Sequence, residues 1–208
     1  GHVPVSFRNW RGDAPGGLGL VAVSVSAHKV GGPVGVGALV AARSARLSSQ
    51  LHGGGQQRGL RAGTQDVAGA ASFALAAELS ARELESEAAR LVRLRTAVVD
   101  GVRAGVEDAG PPGDPEDRLP GNVHPPIPGA RAGAPLFLLD QRGIAVSTGS
   151  ACQAGVAEPS HVVIALGRSE REASEVLRIS LGRTTTEADV AALLAVLPDA
   201  VATARAAR

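Results

Sequence analysis

Along residues 20–26, Val21, Val23 and Val25 alternate with Ala22, Ser24 and Ser26. A period of two sends successive side chains to opposite faces, so the segment is predicted to be a strand. It runs into Ala27-His28-Lys29 and then Gly31-Gly32-Pro33, a turn signal. Residues 35–42 form a second short apolar strand, the return arm of a hairpin-like unit. A glycine-rich stretch follows, His52-Gly53-Gly54-Gly55, and ends in Arg61-Ala62-Gly63-Thr64.

From about residue 66 to residue 106 the period changes. Leu91, Leu94, Val98 and Val102 recur at three- and four-residue spacing, with Glu and Arg on the other face, as an amphipathic helix requires. Gly110-Pro111-Pro112-Gly113 breaks it. Beyond the break the pattern predicts a strand at 122–127, a helix at 134–141 and a strand at 144–147. A Gly/Ser/Ala loop holding Cys152 comes next, then a helix at 160–166 and a strand at 176–181. Thr186 caps a last helix, with Asp189 three residues on as its capping-box partner. Alternating strands and helices predict an α/β or α+β fold, and no internal repeat is found.

Composition sharpens the chemistry. Apolar residues are 44% of the 208 and charged residues 20%, values ordinary for a soluble globular chain. The longest apolar runs are interrupted by Gly and Ser, and no basic region followed by an apolar core opens the chain. Neither a membrane span nor a secretory signal is expected, and the protein is expected to be cytoplasmic. A net charge of +1 with scattered arginines gives no footprint for nucleic acid. The chain starts at Gly1 and holds no Met, which predicts a fragment, a processed chain or a trimmed record.

Lys29 is the only lysine among 21 basic residues. A drift that replaces Lys by Arg wherever a plain positive charge suffices would spare an amine that must lose its proton and act as a nucleophile. The alternative is a surface lysine that survived by chance. Ser26 and His28 flank Lys29 where a strand ends, and a hydroxyl and a ring N–H both suit phosphate oxygens. The plainer reading is an exposed strand-end lysine beside a histidine satisfied in the core.

Cys152 is the only cysteine, which excludes an internal disulfide framework. A lone cysteine is most often a small buried hydrophobe, yet the Ser, Thr and Gly around it offer no apolar packing and suit a presented thiol. Arg178, inside the apolar run Leu177-Arg178-Ile179, is costly to bury unless its fork meets a carboxylate. Arg183 reads as a solvated arginine. Thr64 offers phosphate a hydroxyl and neighbouring backbone N–H groups. His52-Gly53-Gly54-Gly55 lacks the G-x-S-x-G partner of an esterase, and the glycines after Lys29 are not a P-loop. The five histidines form no metal-type pair, so no metal site is expected.

In their order and spacing, these motifs resemble the cysteine desulfurases of the iron–sulfur-cluster type, in the class V aminotransferase family. They are Val25-Ser26-Ala27-His28-Lys29-Val30-Gly31-Gly32-Pro33, His52-Gly53-Gly54-Gly55-Gln56, Arg61-Ala62-Gly63-Thr64, Ser150-Ala151-Cys152, Glu158-Pro159-Ser160-His161-Val162 and Leu177-Arg178-Ile179-Ser180-Leu181-Gly182-Arg183. The resemblance covers nearly the whole chain. It implies the C-terminal part of a fold-type I transferase dependent on pyridoxal 5'-phosphate (PLP). Residues 1–80 would end the large cofactor domain, and residues 81–208 would form the small α/β domain carrying the cysteine loop.

It also implies roles. Lys29 would hold PLP covalently, Ser26 and His28 would bind its phosphate, and Thr64 would reach the phosphate in the partner subunit of a homodimer. Arg178 would clamp the substrate carboxylate, and Cys152 would take sulfur. The implied reaction turns L-cysteine into L-alanine and an enzyme persulfide, passed to a scaffold or thiolation protein. The family carries a D-x-x-Q segment just before the position of Gly1, along with an earlier stacking histidine and phosphate-binding threonine. The chain alone is therefore expected to be inactive. Around Arg131-Ala132-Gly133, where the family often has an acidic pair, this chain is basic. Two other readings are a selenocysteine or other class V lyase, and a catalytically dead dimerisation or interaction module.

Overall fold

The computed structural model describes residues 7–10, 17–110, 114, 116–149 and 159–207. These divide into two compact units, one ending at Glu85 and the other starting at Ser86.

The first unit opens with the single turn α1 (Phe7–Trp10). Strands β1 (Ala22–Ser26) and β2 (Gly37–Ala41) pair antiparallel, with Ser26 opposite Gly37 and Ala22 opposite Ala41. This is the hairpin that the alternation at 20–26 predicts. Helix α2 (Val67–Gly105) starts in this unit, where the Asp66 carboxylate accepts the Gly69 N–H at 2.8 Å. The buried apolar residues of the unit are three alanines, Ala27, Ala62 and Ala76, among the described residues. Leu18, Val34, Val67 and Leu75 are all more than half exposed.

The second unit holds the hydrophobic core. Antiparallel strands β3 (Asn122–Val123), β5 (Leu177–Ser180) and β4 (Ser147–Thr148) form one sheet in the order β3-β5-β4. Val123, Leu177 and Ile179 point from it into a cluster with Leu91, Leu94, Val98 and Val102 of α2. That is the apolar stripe expected from the sequence, and all four helix residues are buried. Helix α3 (Gly133–Asp140) adds Leu139, and α6 (Glu187–Ala206) adds Val190, Leu193, Leu197 and Val201. Gly101 and Gly105 let α6 approach α2, because a Cβ on either would meet Leu194 or Pro198 within 3 Å.

The strand expected at 122–127 shortens to two residues. Pro125 and Pro126 have no N–H to donate, so the ladder continues as single contacts. Leu177 N–H donates to Pro125 O at 3.2 Å, and Ile127 N–H to Glu175 O at 2.6 Å. The strand expected at 144–147 pairs only at its last residue and the one after, opposite Arg178 and Leu177. Two short helices, α4 (His161–Ala165) and α5 (Glu170–Ser174), precede β5. The first matches the helix expected at 160–166, with Ser160 as its cap.

Candidate functional site

Those of the residues that stand out in the sequence and are described fall in two places, one in each unit. In the first, β1 ends at Ser26 and the chain turns through one 3-10 turn, Ala27–Val30. Ala27 is fully buried and anchors the turn: its N–H donates to Val36 O at 3.0 Å, and its carbonyl accepts the Gly32 N–H at 2.8 Å. Gly31 ends the turn at φ 83°, a left-handed conformation that costs glycine little. A Cβ at Gly32 would press on Ala27 at 3.0 Å. The Ser80 hydroxyl of α2 donates to Val30 O at 2.9 Å and holds the far end.

One buried alanine thus carries three exposed polar side chains, Ser26, His28 and Lys29. Ser26 stands at the cap of the turn, yet its side chain makes no capping hydrogen bond. A hydroxyl, an imidazole and an amine fixed within four residues form a donor set for an anion next to a nucleophile for an aldehyde. That chemistry fits the phosphate and aldehyde of PLP. In the described residues of this turn, the groups that anchor the backbone and those left for a ligand are different groups.

Thr64 is exposed in the same unit, on a loop braced by its own side chains. Gly63 N–H donates to Gln56 Oε1 at 3.3 Å, Gln65 Nε2 to Gly63 O at 2.8 Å, and Gln57 Nε2 to Gln65 Oε1 at 3.1 Å. Gln57 and Arg58 both adopt positive φ, and Ala62 of the same loop is buried.

Arg178 lies in the second unit, at the second position of β5. It is half-buried and donates through Nη1 to Gly149 O at 3.1 Å, while its Nε is buried without a partner among the described residues. His124 sits across from it, its pKa held down to about 4 by burial first and then by the guanidinium groups of Arg178 and Arg118. The sequence alone marks His124 only as one of five scattered histidines. The register that brings it opposite Arg178, one residue past the last β3–β5 pair, is not visible before β3 and β5 are joined. Cys152 lies outside the described residues, as do Ser150, Ala151 and Glu158.

A cavity of about 520 Å³ opens elsewhere in this unit, between Pro126, Pro128, Val163 and Val176, with Arg171 and Glu175 beside it. None of the candidate site residues read from the sequence lines it. Its one buried carboxylate, Glu175, accepts the Gly129 N–H at 3.2 Å.

Residues 18–193 match the sequence profile of the family described as aminotransferase class V. The chain is 49% identical over 206 residues to an IscS-like cysteine desulfurase of Mycobacterium tuberculosis, a match over 99% of this chain and 50% of that protein. It is 40% identical over 184 residues to cysteine desulfurase IscS 1 of Archaeoglobus fulgidus, covering 88% of this chain and 48% of the relative. Among solved structures, a NifS-like protein superposes with a TM-score of 0.78 at 33% identity, over 89% of this chain and 47% of that one. The chain spans about half the length of the curated relatives it matches.

Proposed function

The chain belongs to the class V aminotransferase family, and from that premise we propose that it is the part of a PLP-dependent cysteine desulfurase that carries the cofactor lysine and the sulfur-accepting cysteine. The observation that carries the reading is the turn at residues 26–29. There the only lysine of the chain projects beside a hydroxyl and an imidazole from a backbone locked by Ala27 and two glycines. Its support from outside the chain is the identity of 49% and 40% to cysteine desulfurases.

PLP, when bound, supplies an aldehyde for amines and an electron-withdrawing ring. Lys29 Nζ would hold that aldehyde covalently, and as a free amine it would move the substrate Cα proton. Ser26 Oγ and the His28 ring N–H donate to the phosphate. Thr64 Oγ1 donates to the phosphate held by the partner subunit of a homodimer. Arg178 meets the substrate carboxylate. Cys152 attacks as thiolate: an S–S bond to the substrate sulfur forms while the substrate Cβ–S bond breaks. A proton on Cβ completes L-alanine, and the sulfur stays on Cys152 as a persulfide for a scaffold or thiolation protein.

Cys152→Ser, made in the complete protein reconstituted with PLP, tests the division of labour. Serine keeps the size and polarity of the side chain, but its hydroxyl is a far poorer nucleophile towards sulfur. The variant should hold PLP and change its absorption spectrum with L-cysteine, yet form alanine at least about a hundredfold more slowly. Alanine production at the unmodified rate would make Cys152 a bystander.

A further inference from the structure

The sheet of the second unit has one apolar and one polar face. Val123, Leu177 and Ile179 point into the core, so Asn122, His124, Arg178 and Ser180 share the opposite face. The register pairs Asn122 with Ser180 and Val123 with Ile179, which sets His124 across from Arg178. Hydrogen bonds link the neighbouring pairs, from Leu177 N–H to Pro125 O at 3.2 Å and from Leu181 N–H to Gly121 O at 2.8 Å. Their alternation puts His124 and Arg178 in the non-hydrogen-bonded register, where Cα atoms approach to about 4.5 Å and side chains are nearest. Arg118 joins the same edge, donating from Nη2 to Asn122 O at 3.4 Å.

Four buried polar atoms have no partner among the described residues: Arg118 Nε, Asn122 Oδ1, His124 Nε2 and Arg178 Nε. All four belong to this edge, and the three nitrogens, unlike the Asn122 oxygen, are the ones that can donate to an anion. Buried polar atoms are nearly always satisfied, so a cluster of orphans on one face marks a place where something else supplies the hydrogen bonds. The charge is one-sided as well. No ion pair of Arg118 or Arg178 is found among the described residues. Asp114, the carboxylate that acts on Arg118, is exposed and has Oδ1 engaged by the N–H groups of Glu116 and Asp117.

We infer that His124 and Arg118 complete, with Arg178, a carboxylate-binding site on the polar face of β3 and β5, His124 donating through Nε2–H. The inference rests on the reading that Arg178 meets the substrate carboxylate, and it adds the two residues that fix where the carboxylate sits. Two guanidinium groups supply the charge. The imidazole supplies a directed donor without a third positive charge, because desolvation and the two arginines keep it neutral. A three-carbon amino acid would be held by its carboxylate end here. An amine lacking the carboxylate would not be.

Titration with propionate, a three-carbon carboxylate, tests this, followed by 15N NMR of the histidine and arginine side chains in the 208-residue chain. Propionate should move the His124 Nε2 and Arg178 Nε signals together, saturably, and chloride at equal ionic strength should not. His124→Phe should weaken propionate at least fivefold, whereas His124→Gln, whose amide N–H can stand in, should stay within about threefold. A wild-type chain whose His124 Nε2 signal does not respond overturns the inference, and that result needs no variant to fold. If Arg178→Ala abolishes binding while His124→Phe leaves it intact, the inference fails and the role of Arg178 stands. If Arg178→Ala changes nothing, the reading of Arg178 fails too.

Discussion

His124 titrates far below a free imidazole, from 6.5 to about 4, because burial and then Arg178 and Arg118 disfavour its charged form. At neutral pH the imidazole is uncharged in both the folded and unfolded chain, so its titration contributes nothing there. As pH falls below about 6.5 the unfolded chain takes up the proton while the folded chain does not, and folding loses stability until about pH 4. A chain with His124→Gln should lack that component. Urea midpoints between about pH 7 and about pH 4.5 should therefore fall more steeply for the wild type than for the variant. The carboxylates lowered by capping hydrogen bonds, Glu172 and Asp189, are present in both proteins and cancel. Equal slopes would mean that His124 is protonated alike in both states. At this scale the sequence made Lys29, Ser26 and His28 legible, since their neighbours in space are their neighbours in the chain. His124 and Arg118 were not legible. Their meaning depends on Arg178, more than fifty residues away, and on a register that folding alone creates.

Helix α6 begins with a capping box that could be read from Thr186 and Asp189. Thr186 Oγ1 accepts the Asp189 N–H at 3.2 Å, and the Asp189 carboxylate accepts the Thr186 N–H at 2.8 Å. The same signature, Ser169 with Glu172, starts α5, but only five residues of helix follow it, too few for a periodic pattern to mark. Arg90 of α2 secures the loop before α6, donating to Gly182 O at 2.9 Å and Thr185 O at 2.5 Å, with the Glu87 carboxylate at its side. Helix α6 buries six residues in the core, so losing its cap should be felt by the whole second unit. Thr186→Ala is expected to lower unfolding stability by about 1 kcal/mol in urea denaturation, with the slope unchanged. A change within error of zero would show that Arg90 and the core hold the start of α6 without the cap. The long helix and the hairpin were legible because their periods persist over many residues. The prolines at 125 and 126 hid where β3 would stop pairing.

The two units differ in what they bury. The second has a core of nineteen buried residues in one cluster, while the buried apolar residues described in the first are Ala27, Ala62 and Ala76. An isolated two-stranded hairpin is marginal in water, and contiguous exposed apolar surface marks a contact surface. In the 208-residue chain by itself, hydrogen exchange should be fast at the amides of β1 and β2. It should be slower by orders of magnitude at those of β5 and α6, whose opening approaches global unfolding. Comparable protection in both units would mean that the hairpin is stabilised by contacts that its exposure does not suggest.

The central claim is that Lys29 anchors PLP, and borohydride trapping tests it most directly. Reduction of the complete protein reconstituted with PLP should fix a pyridoxyl group on the peptide carrying Ser26, His28 and Lys29. Lys29→Ala should abolish that labelling. No label on this peptide, or a label that persists undiminished in Lys29→Ala, would contradict the account.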